Sequence, residues 1–311
     1  MELGKPTFSG HESFPFRSTW LTKGVRACAH DPLIFTRPDA MVTLGVGKNM
    51  VRSIRYWCLA TRMLEEADPI KGSRGRRLRP SEIGQRLLGE GGWDPYLQDS
   101  ASLWLIHWLL ATNACRAPTV FFALNQFREQ DFTRASLEAA LEAHTRRLSG
   151  LRLSDQTLKR DVDVLVRTYV SSHLTSLRVL EDTLDCPLTE LGLVFEVEPR
   201  RLYAFQRGPK DSLPDAVVVY ALCDLIQQSG SAKSLAFDDL IYREGSPGAV
   251  FKLDENSLAE RLERIDRLTG GAWQYTETAG LKQVLLLRSQ EGLTHLDAYY
   301  SSQYASGPET P

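Results

Sequence analysis

The sequence predicts a mainly helical α+β fold with small β hairpins. We expect an N-terminal winged helix-turn-helix, a helical middle and a C-terminal winged-helix-like module. Apolar residues recur at the three- and four-residue spacing of amphipathic helices over most of the chain. Glycine and proline interrupt these stretches at short intervals. Near each end, a helical pattern is followed by a glycine-containing segment with the pattern of a β hairpin.

The length of 311 residues, 42% of them hydrophobic, suits two or three domains. We assign residues 1–92 to a winged-helix DNA-binding domain and residues 93–230 to a helical central domain with a β hairpin. Residues 231–298 are assigned to a winged-helix-like domain. The tail, residues 299–311, is small and polar and is expected to be disordered.

Composition argues against several classes of protein. The longest apolar run, residues 103–111, is far shorter than the roughly 20 residues of a membrane-spanning helix, so it predicts a buried core helix and no membrane partner. The five cysteines are widely spaced and no signal peptide is recognised, which predicts buried free thiols, no structural zinc and a cytoplasmic location. The formal net charge is −2, so any nucleic-acid surface must be local.

The segment LGVGKNMVRSIRYWCLATRML has the pattern of a helix-turn-helix. A short helix is expected to begin near Pro38 and Asp39 and to end at Gly45, because aspartate is a good N-cap and glycine a good helix stop. A longer helix is expected from about Asn49 to Leu64. Its apolar positions recur at spacings of three to five residues and its other face is basic. The apolar residues are Val51, Ile54, Cys58, Leu59 and Met63, and the basic ones are Arg52, Arg55 and Arg62.

The next segment, KGSRGRRLRP, has the composition of a wing, because glycine allows a tight hairpin tip and five basic residues surround it. A further helix is expected to begin after Ser81 as N-cap and to end at Gly89. Between Lys48 and Arg79 there are nine basic and three acidic residues, a net charge of +6 in a chain whose net charge is −2. Such segregation is what a phosphate-facing surface on a neutral protein requires.

Two helical patterns and one strand pair follow. A helix capped by Ser154 or Asp155 would bury Leu158, Val162, Leu165 and Val166 and turn Lys159, Arg160 and Arg167 outward. Two strands are expected on either side of a turn at Glu198 and Pro199. The last third repeats the order helix, helix, hairpin, with a charge-balanced helix better suited to contact protein than DNA.

The predicted DNA-binding residues lie on the basic helix and its wing. Lys48, Arg52 and Arg55 would contact phosphate or guanine, and Asn49 would read adenine or cap the helix. The wing would grip the flanking backbone or minor groove through Lys71, Arg74, Arg76, Arg77 and Arg79. A secondary DNA-binding role is a minority interpretation for Lys159 and Arg160. A solvated charged face is the simpler alternative for both sets.

No catalytic motif stands out. GVGKN departs from a phosphate-binding loop at Val42 and Asn49, so no nucleotide cofactor is expected. His11 and Glu12 do not begin a zinc-protease motif, because Pro15 stands where its second histidine would be. Phosphodiester hydrolysis needs carboxylates that hold a divalent metal, Mg or Mn. The weak candidates are His11, Glu12, Asp161 and Asp163; the further pairs Asp182 with Asp185 and Asp254 with Glu255 are, like them, explained more simply by capping and solvation.

A resemblance adds to this interpretation. At FSGHESFPFR, LGVGKNMVRSIRYW, TLKRDVDVLVRTYV, EDTLDCPLTELGL and GSPGAVFKLDENSL, the chain resembles a bacterial family described only as a domain of unknown function. Its members are encoded beside PAPS-reductase-like proteins and cysteine desulfurases, and they include DNA-nicking components of single-stranded DNA phosphorothioation systems used in antiphage defence. The resemblance implies those two partners and a DNA-cutting role.

The function expected from the sequence is therefore sequence-directed binding of double-stranded DNA with metal-assisted nicking of one strand. If the chain is an enzyme, it is a divalent-metal-dependent nicking endonuclease. The alternative is a non-catalytic DNA-binding regulator, or a recruiter of the sulfur-transfer partners. A third alternative is an adaptor that grips partner enzymes through its C-terminal module.

Overall fold

The computed structural model describes residues 6–67, 77–171, 186–198, 201–230 and 233–305. Its elements are α-helices with small antiparallel sheets, which confirms the α+β class. The chain divides into two compact units, Met1–Gln206 and Arg207–Pro311. This boundary coincides with neither of the boundaries expected after residues 92 and 230.

Unit 1 begins with a group of short helices. They are α1 (Ser18–His30), α2 (Ala40–Leu44), α3 (Lys48–Ala60) and α4 (Glu82–Leu88). Helix α2 ends where expected, because Gly45 adopts the left-handed φ of 64° that terminates a helix. Helix α1 packs against both α3 and α4 and thereby supports α3.

Helix α3 is shorter than expected. The five apolar residues predicted to line its inner face are all buried, but the helix stops at Ala60 because Thr61 and Arg62 turn the chain into strand β1 (Leu64–Glu66). Arg62 has a positive φ of 57° and is not on the helix. Its guanidinium donates to the carbonyl and the hydroxyl of Thr112 at 3.1 and 3.2 Å, so the prediction that Arg62 belongs to the basic face was wrong.

Strand β1 pairs antiparallel with β2 (Leu78–Pro80), and Glu65 of β1 lies opposite Arg79 of β2. The predicted tip of this hairpin, with Lys71, Arg74 and Arg76, lies outside the described residues. The Ser81 hydroxyl accepts a hydrogen bond from the amide of Gly84 at 3.0 Å, which confirms Ser81 as the N-cap of α4.

The rest of unit 1 is built around a buried helix, α5 (Ser100–Ala111), of which every residue from Ala101 onward is buried. This confirms the core helix predicted there. The remaining helices are α6 (Pro118–Phe121), α7 (Arg134–Ser149) and α8 (Asp155–Tyr169). In the ranges that the structure describes, no helix is long and apolar enough to cross a membrane.

Helix α8 follows the sequence prediction closely. The Ser154 hydroxyl accepts a hydrogen bond from the Thr157 amide, and the four apolar residues expected to face inward are buried. A three-stranded sheet in the order β3 (Asp131–Phe132), β5 (Leu202–Phe205), β4 (Val194–Glu198) completes unit 1. Strands β4 and β5 are the pair expected around Glu198; residues 199 and 200 between them lie outside the described ranges.

Unit 2 contains six helices in its described ranges and one sheet. The helices are α9 (Asp215–Ser229), α10 (Phe237–Tyr242), α11 (Pro247–Val250), α12 (Glu255–Leu262), α13 (Ile265–Leu268) and α14 (Gly292–Ala305). The sheet has the order β6 (Ser234–Ala236), β8 (Leu281–Leu286), β7 (Trp273–Thr278). The helix-helix-hairpin order predicted for the last third is present.

Helix α14 corrects the expected tail. It continues through Ala305, whereas residues from Tyr299 onward were expected to be disordered. The physical reason is burial: Leu296 and Tyr300 are almost fully enclosed, and α14 packs along α9. The same packing explains why α9 belongs to unit 2 rather than to a central domain.

The close contact between α4 and Met63, which follows α3 and precedes β1, gives a stability prediction. A Cβ added at Gly84 would lie 2.0 Å from the main-chain oxygen of Met63. We expect Gly84→Ala to lower the free energy of unfolding by about 2–3 kcal/mol, although alanine is the better helix former.

The measurement is urea unfolding followed by circular dichroism. Gly47→Ala is the control, because that position has a φ of −70° and no atom within 4 Å of the added Cβ. Its cost should stay within about 1 kcal/mol. Equal effects of the two substitutions would contradict the close contact as the cause.

Candidate nucleic-acid interface

The exposed residues at the start of α3 form a polar and basic surface, which we call the α3 face: Lys48, Asn49, Arg52 and Arg55. The first three are exposed, while Arg55 is half-buried and engaged in contacts of its own. On the adjoining hairpin, Arg79 is exposed and its Nε lies 2.6 Å from a Glu65 carboxylate oxygen; Arg77 is half-buried. The described basic residues of the hairpin, Arg77 and Arg79, thus lie next to the strand that follows α3.

An N-terminal loop, residues 9–14, packs against α3 on the side of Arg52. The Ser53 hydroxyl donates to the carbonyl of His11 at 2.9 Å, and the Trp57 indole N–H donates to the carbonyl of Phe14 at 2.9 Å. A Cβ at Gly10 would lie 2.4 Å from the ring of Tyr56, so only glycine fits the close approach of loop and helix. The FSGHESF segment therefore positions α3.

The N-terminal loop is held from the other side by Asp161 of α8. One carboxylate oxygen accepts from the Ser9 amide at 2.9 Å, the Ser9 hydroxyl at 3.0 Å and His11 Nε2 at 3.1 Å. The other oxygen accepts from the Thr119 hydroxyl at 3.1 Å. Asp161 is 4% exposed, so the sequence-based explanation by capping or solvation was wrong for this residue. A buried carboxylate with four hydrogen-bond donors has a structural role: it joins the N-terminal loop and Thr119 to α8.

The same network fixes the tautomer of His11. Its Nδ1 accepts from the Ser13 amide at 3.2 Å, so the ring proton lies on Nε2 and points to Asp161. Both ring nitrogens are thus used inside the protein. Burial, and to a smaller extent the Asp161 charge, raises the pKa of the adjacent Tyr56 far above its usual range, so Tyr56 remains a neutral phenol.

The N-terminal loop is conformationally strained. Ser9, Glu12 and Ser13 have positive φ angles of 55°, 50° and 71°, a region that side-chain-bearing residues seldom occupy. Each such residue costs on the order of 1 kcal/mol. Backbone strain of this kind persists only where surrounding contacts impose it, and here Asp161 and α3 supply them.

The structure brings together two of the weak catalytic candidates, His11 and Asp161, and leaves the other two more exposed. The Glu12 carboxylate lies 3.5 Å from Arg52 Nη1, and its side chain is 30% exposed. Asp163, 46% exposed, lies 3.6 Å from Arg134 Nε and 3.6 Å from Arg167 Nη1. Of the four catalytic candidates, Glu12 and Asp163 are therefore the two whose carboxylates a ligand can reach.

Of the other acidic pairs, only Asp254 with Glu255 lies in the described part of the chain. Asp254 caps α12 through the amide of Ser257 at 2.7 Å, and the hydrogen bonds from Ser257 lower the pKa of Asp254. Asp182 and Asp185 lie outside the described residues. Among the residues that the structure describes, no three histidine, cysteine, aspartate or glutamate side chains are grouped so as to hold a metal ion.

The cysteines are free thiols, as expected, and all but Cys115 are buried. Burial raises the pKa of Cys28 to about 11, so this thiol is inert near neutral pH.

Two residues of the network were not found from the sequence. Ser9 and Thr119 bind Asp161 across separations of 152 and 42 residues, and no local pattern marks such partners. A sequence signal for the loop is the pair Gly10 and Pro15 in the FSGHESFPFR segment, which favours an ordered loop but does not indicate what it contacts.

Comparison with known proteins agrees with this architecture. The model of a family described as "Protein of unknown function (DUF4007)" matches residues 8–300, so the chain belongs to that family. A crystal structure of magnesium-ion-bound SspB is similar with a TM-score of 0.88 and 31% identity, covering 98% of this chain and 90% of that one. A second SspB crystal structure gives a TM-score of 0.87 and 31% identity, covering 98% and 91%. No curated protein matches the chain.

The saturated carboxylate of Asp161 gives a second prediction. Asp161→Ala would leave donors on Ser9, His11 and Thr119 buried without a partner, so we expect the free energy of unfolding to fall by about 3 kcal/mol. Urea unfolding followed by tryptophan fluorescence measures this.

Asp163→Ala is the matched control on the same helix, two residues away and half-exposed. Its ion pairs are 3.6 Å long and open to solvent, so its cost should stay within about 1 kcal/mol. Similar losses of unfolding free energy for the two variants would show that the hydrogen bonds of Asp161 do not stabilise the loop.

Proposed function

We propose that this family member binds double-stranded DNA through an N-terminal winged helix-turn-helix and nicks one strand within a DNA phosphorothioate modification system. The observation that carries the proposal is the α3 face, in which exposed basic and amide side chains begin the second helix after a glycine turn. In helix-turn-helix proteins, the N-terminal residues of that second helix contact base edges.

The element order supports this interpretation. Helices α1, α2 and α3 are followed by the β1–β2 hairpin and α4, and α1 packs behind α3. In such an arrangement α3 enters the major groove and the hairpin follows the flanking backbone. Arg77 and Arg79, with the undescribed Lys71, Arg74 and Arg76, are proposed as the backbone contacts of the wing.

The ion pairs of this surface are compatible with phosphate binding. Arg52 and Arg79 each face a carboxylate, but all four side chains are between 30% and 62% exposed. Exposed pairs of this kind contribute only about 0–1 kcal/mol. A phosphate, whose contact releases condensed counterions, can therefore replace Glu12 or Glu65 at small cost.

The binding proposal predicts the effect of removing one guanidinium. Arg52→Ala should weaken DNA binding about fivefold near physiological salt and reduce the slope of log K against log salt by about one. Fluorescence anisotropy with a labelled duplex at several salt concentrations measures both.

Arg146→Ala is the control, because Arg146 is 57% exposed, is ion-paired to Glu142 and lies on α7. It should bind DNA as the wild type does. An unchanged slope for Arg52→Ala would remove the α3 face as the footprint.

The assignment to a phosphorothioate system rests on the sequence resemblance and on the similarity to SspB. In such a system a nick exposes the position at which sulfur replaces a non-bridging oxygen. By resemblance, we propose the cysteine desulfurase and the PAPS-reductase-like protein as its partners, in a bacterial cytoplasm.

A divalent ion is proposed as the cofactor, because a related crystal structure contains magnesium. Mg²⁺ is commonly held by one or two carboxylates together with substrate phosphates, so a preformed cluster of three ligands is not required. Glu12 and Asp163 are the reachable carboxylates among the predicted candidates. A bound ion would supply Lewis-acid stabilisation of charge on the phosphate.

Nicking is tested directly with supercoiled plasmid, purified protein and Mg or Mn, with and without chelator. We expect chelator-sensitive open-circular product from the wild type, and at least tenfold less from Glu12→Gln or Asp163→Asn if that residue binds the ion. Arg146→Ala is again the control.

Clear binding in a shift assay with intact supercoils would favour the non-catalytic alternative, a regulator or a recruiter of the sulfur-transfer partners. The observation behind that alternative is that His11 and Asp161 use their polar atoms within the protein.

The C-terminal unit is not proposed to read DNA. Its sheet order β6-β8-β7 after α9 fits a winged-helix-like module, but α12, in the place of the reading helix, exposes Glu255 and Glu260, and its C-cap Glu263 is exposed as well. Repulsion from phosphate would oppose insertion into a groove, so contact with a protein is the better proposal.

A further inference from the structure

The outward face of α8 lies next to the α3 face, across the N-terminal loop. Arg52 of α3 contacts the carboxylate of Glu12, and Arg167 of α8 donates to the carbonyl of Ser13 at 3.2 Å. Glu12 and Ser13 are consecutive residues. The two guanidinium groups, 57% and 43% exposed, are therefore held by neighbouring positions of one strained loop.

A row of charged side chains continues along α8 from that point. Lys159, Asp163 and Arg167 follow each other at four-residue intervals, so they lie on one side of the helix. The separation of eight positions between Lys159 and Arg167 corresponds to about 12 Å along the helix axis. Arg160 is half-buried beside this row.

Asp163 is the one acidic residue within the row, and it is shared by two cations. Arg134 Nε lies 3.6 Å from Asp163 Oδ1, and Arg167 Nη1 lies 3.6 Å from Asp163 Oδ2. Arg134 is also hydrogen-bonded to the Tyr203 hydroxyl and stacks on that ring at 4.9 Å. Lys159 is exposed, and the exposed Asp155 lies one turn before it on the same side of the helix. With Arg134 counted, this side holds three cations and two carboxylates, a net charge of +1 toward an anionic strand.

We infer that α8 carries a second phosphate-binding surface, with Arg167 and Lys159 as its contacts for the DNA backbone beside the segment bound by the α3 face. The inference rests on the proposed function, because it extends the same footprint across the N-terminal loop. Asp161 gives the geometry its rigidity, since it fixes on α8 the loop that touches both arginines. Arg167 is a DNA contact in this inference, not a catalytic residue.

The test measures the salt dependence of duplex binding for single and double variants. Arg167→Ala and Lys159→Ala should each weaken binding about threefold to fivefold and each reduce the salt slope by about one. Arg52→Ala combined with Arg167→Ala should reduce the slope by about two. Arg167→Lys should retain the wild-type slope, because the charge remains.

Arg146→Ala is the matched control, since Arg146 forms the same i,i+4 ion pair with a carboxylate on the neighbouring helix α7. Lys159→Ala guards against a folding artefact, because Lys159 is exposed and its loss leaves the contacts of the loop intact. An unchanged slope for both α8 variants, with a reduced slope for Arg52→Ala, would overturn this inference and leave the proposed function standing. An unchanged slope for Arg52→Ala as well would overturn both.

Weaker binding by Arg167→Ala that Arg167→Lys fails to rescue would also overturn the inference. Arg167 would then act only by holding the Ser13 carbonyl.

Discussion

The buried carboxylate of Asp161 is the contact on which the architecture of the candidate site depends. Its donors come from the N-terminal loop and from Thr119 at the start of α6, and Asp161 itself lies on α8. A buried charge is tolerated only when donors compensate it, and here four do so. The loop is thereby held in a strained conformation, and its other side packs against α3. The network also explains why residues before and after position 92 form one compact unit.

This constraint separates the predicted catalytic candidates by accessibility. His11 and Asp161 use their polar atoms inside the protein, whereas the carboxylates of Glu12 in the loop and Asp163 on α8 are partly exposed to solvent. Each accessible carboxylate is paired with arginine. Such exposed ion pairs contribute little to stability, so in the proposed function phosphate would replace the carboxylates at small cost. A local surface of this kind is compatible with the net charge of −2 of the whole chain.

Helix α3 in unit 1 and helix α12 in unit 2 differ in the charge of their exposed residues. Helix α3 begins with a lysine and an asparagine and exposes Arg52, whereas α12 exposes Glu255 and Glu260 and is followed by the exposed Glu263. This contrast supports the division of labour proposed above, in which nucleic acid is bound by unit 1 and a protein partner by unit 2.

The sequence by itself determined the α+β class, the buried helix α5, the caps of α4 and α8, and the apolar side of α3, because these features follow from local periodicity and from capping residues. It also indicated the basic character of α3. Only the tertiary structure decided that Arg62 leaves that surface, that α14 continues past Tyr299, and that Asp161 meets Ser9, His11 and Thr119. Such outcomes depend on which distant segments are packed together, and contacts across 42 to 152 residues leave no periodic trace in the chain.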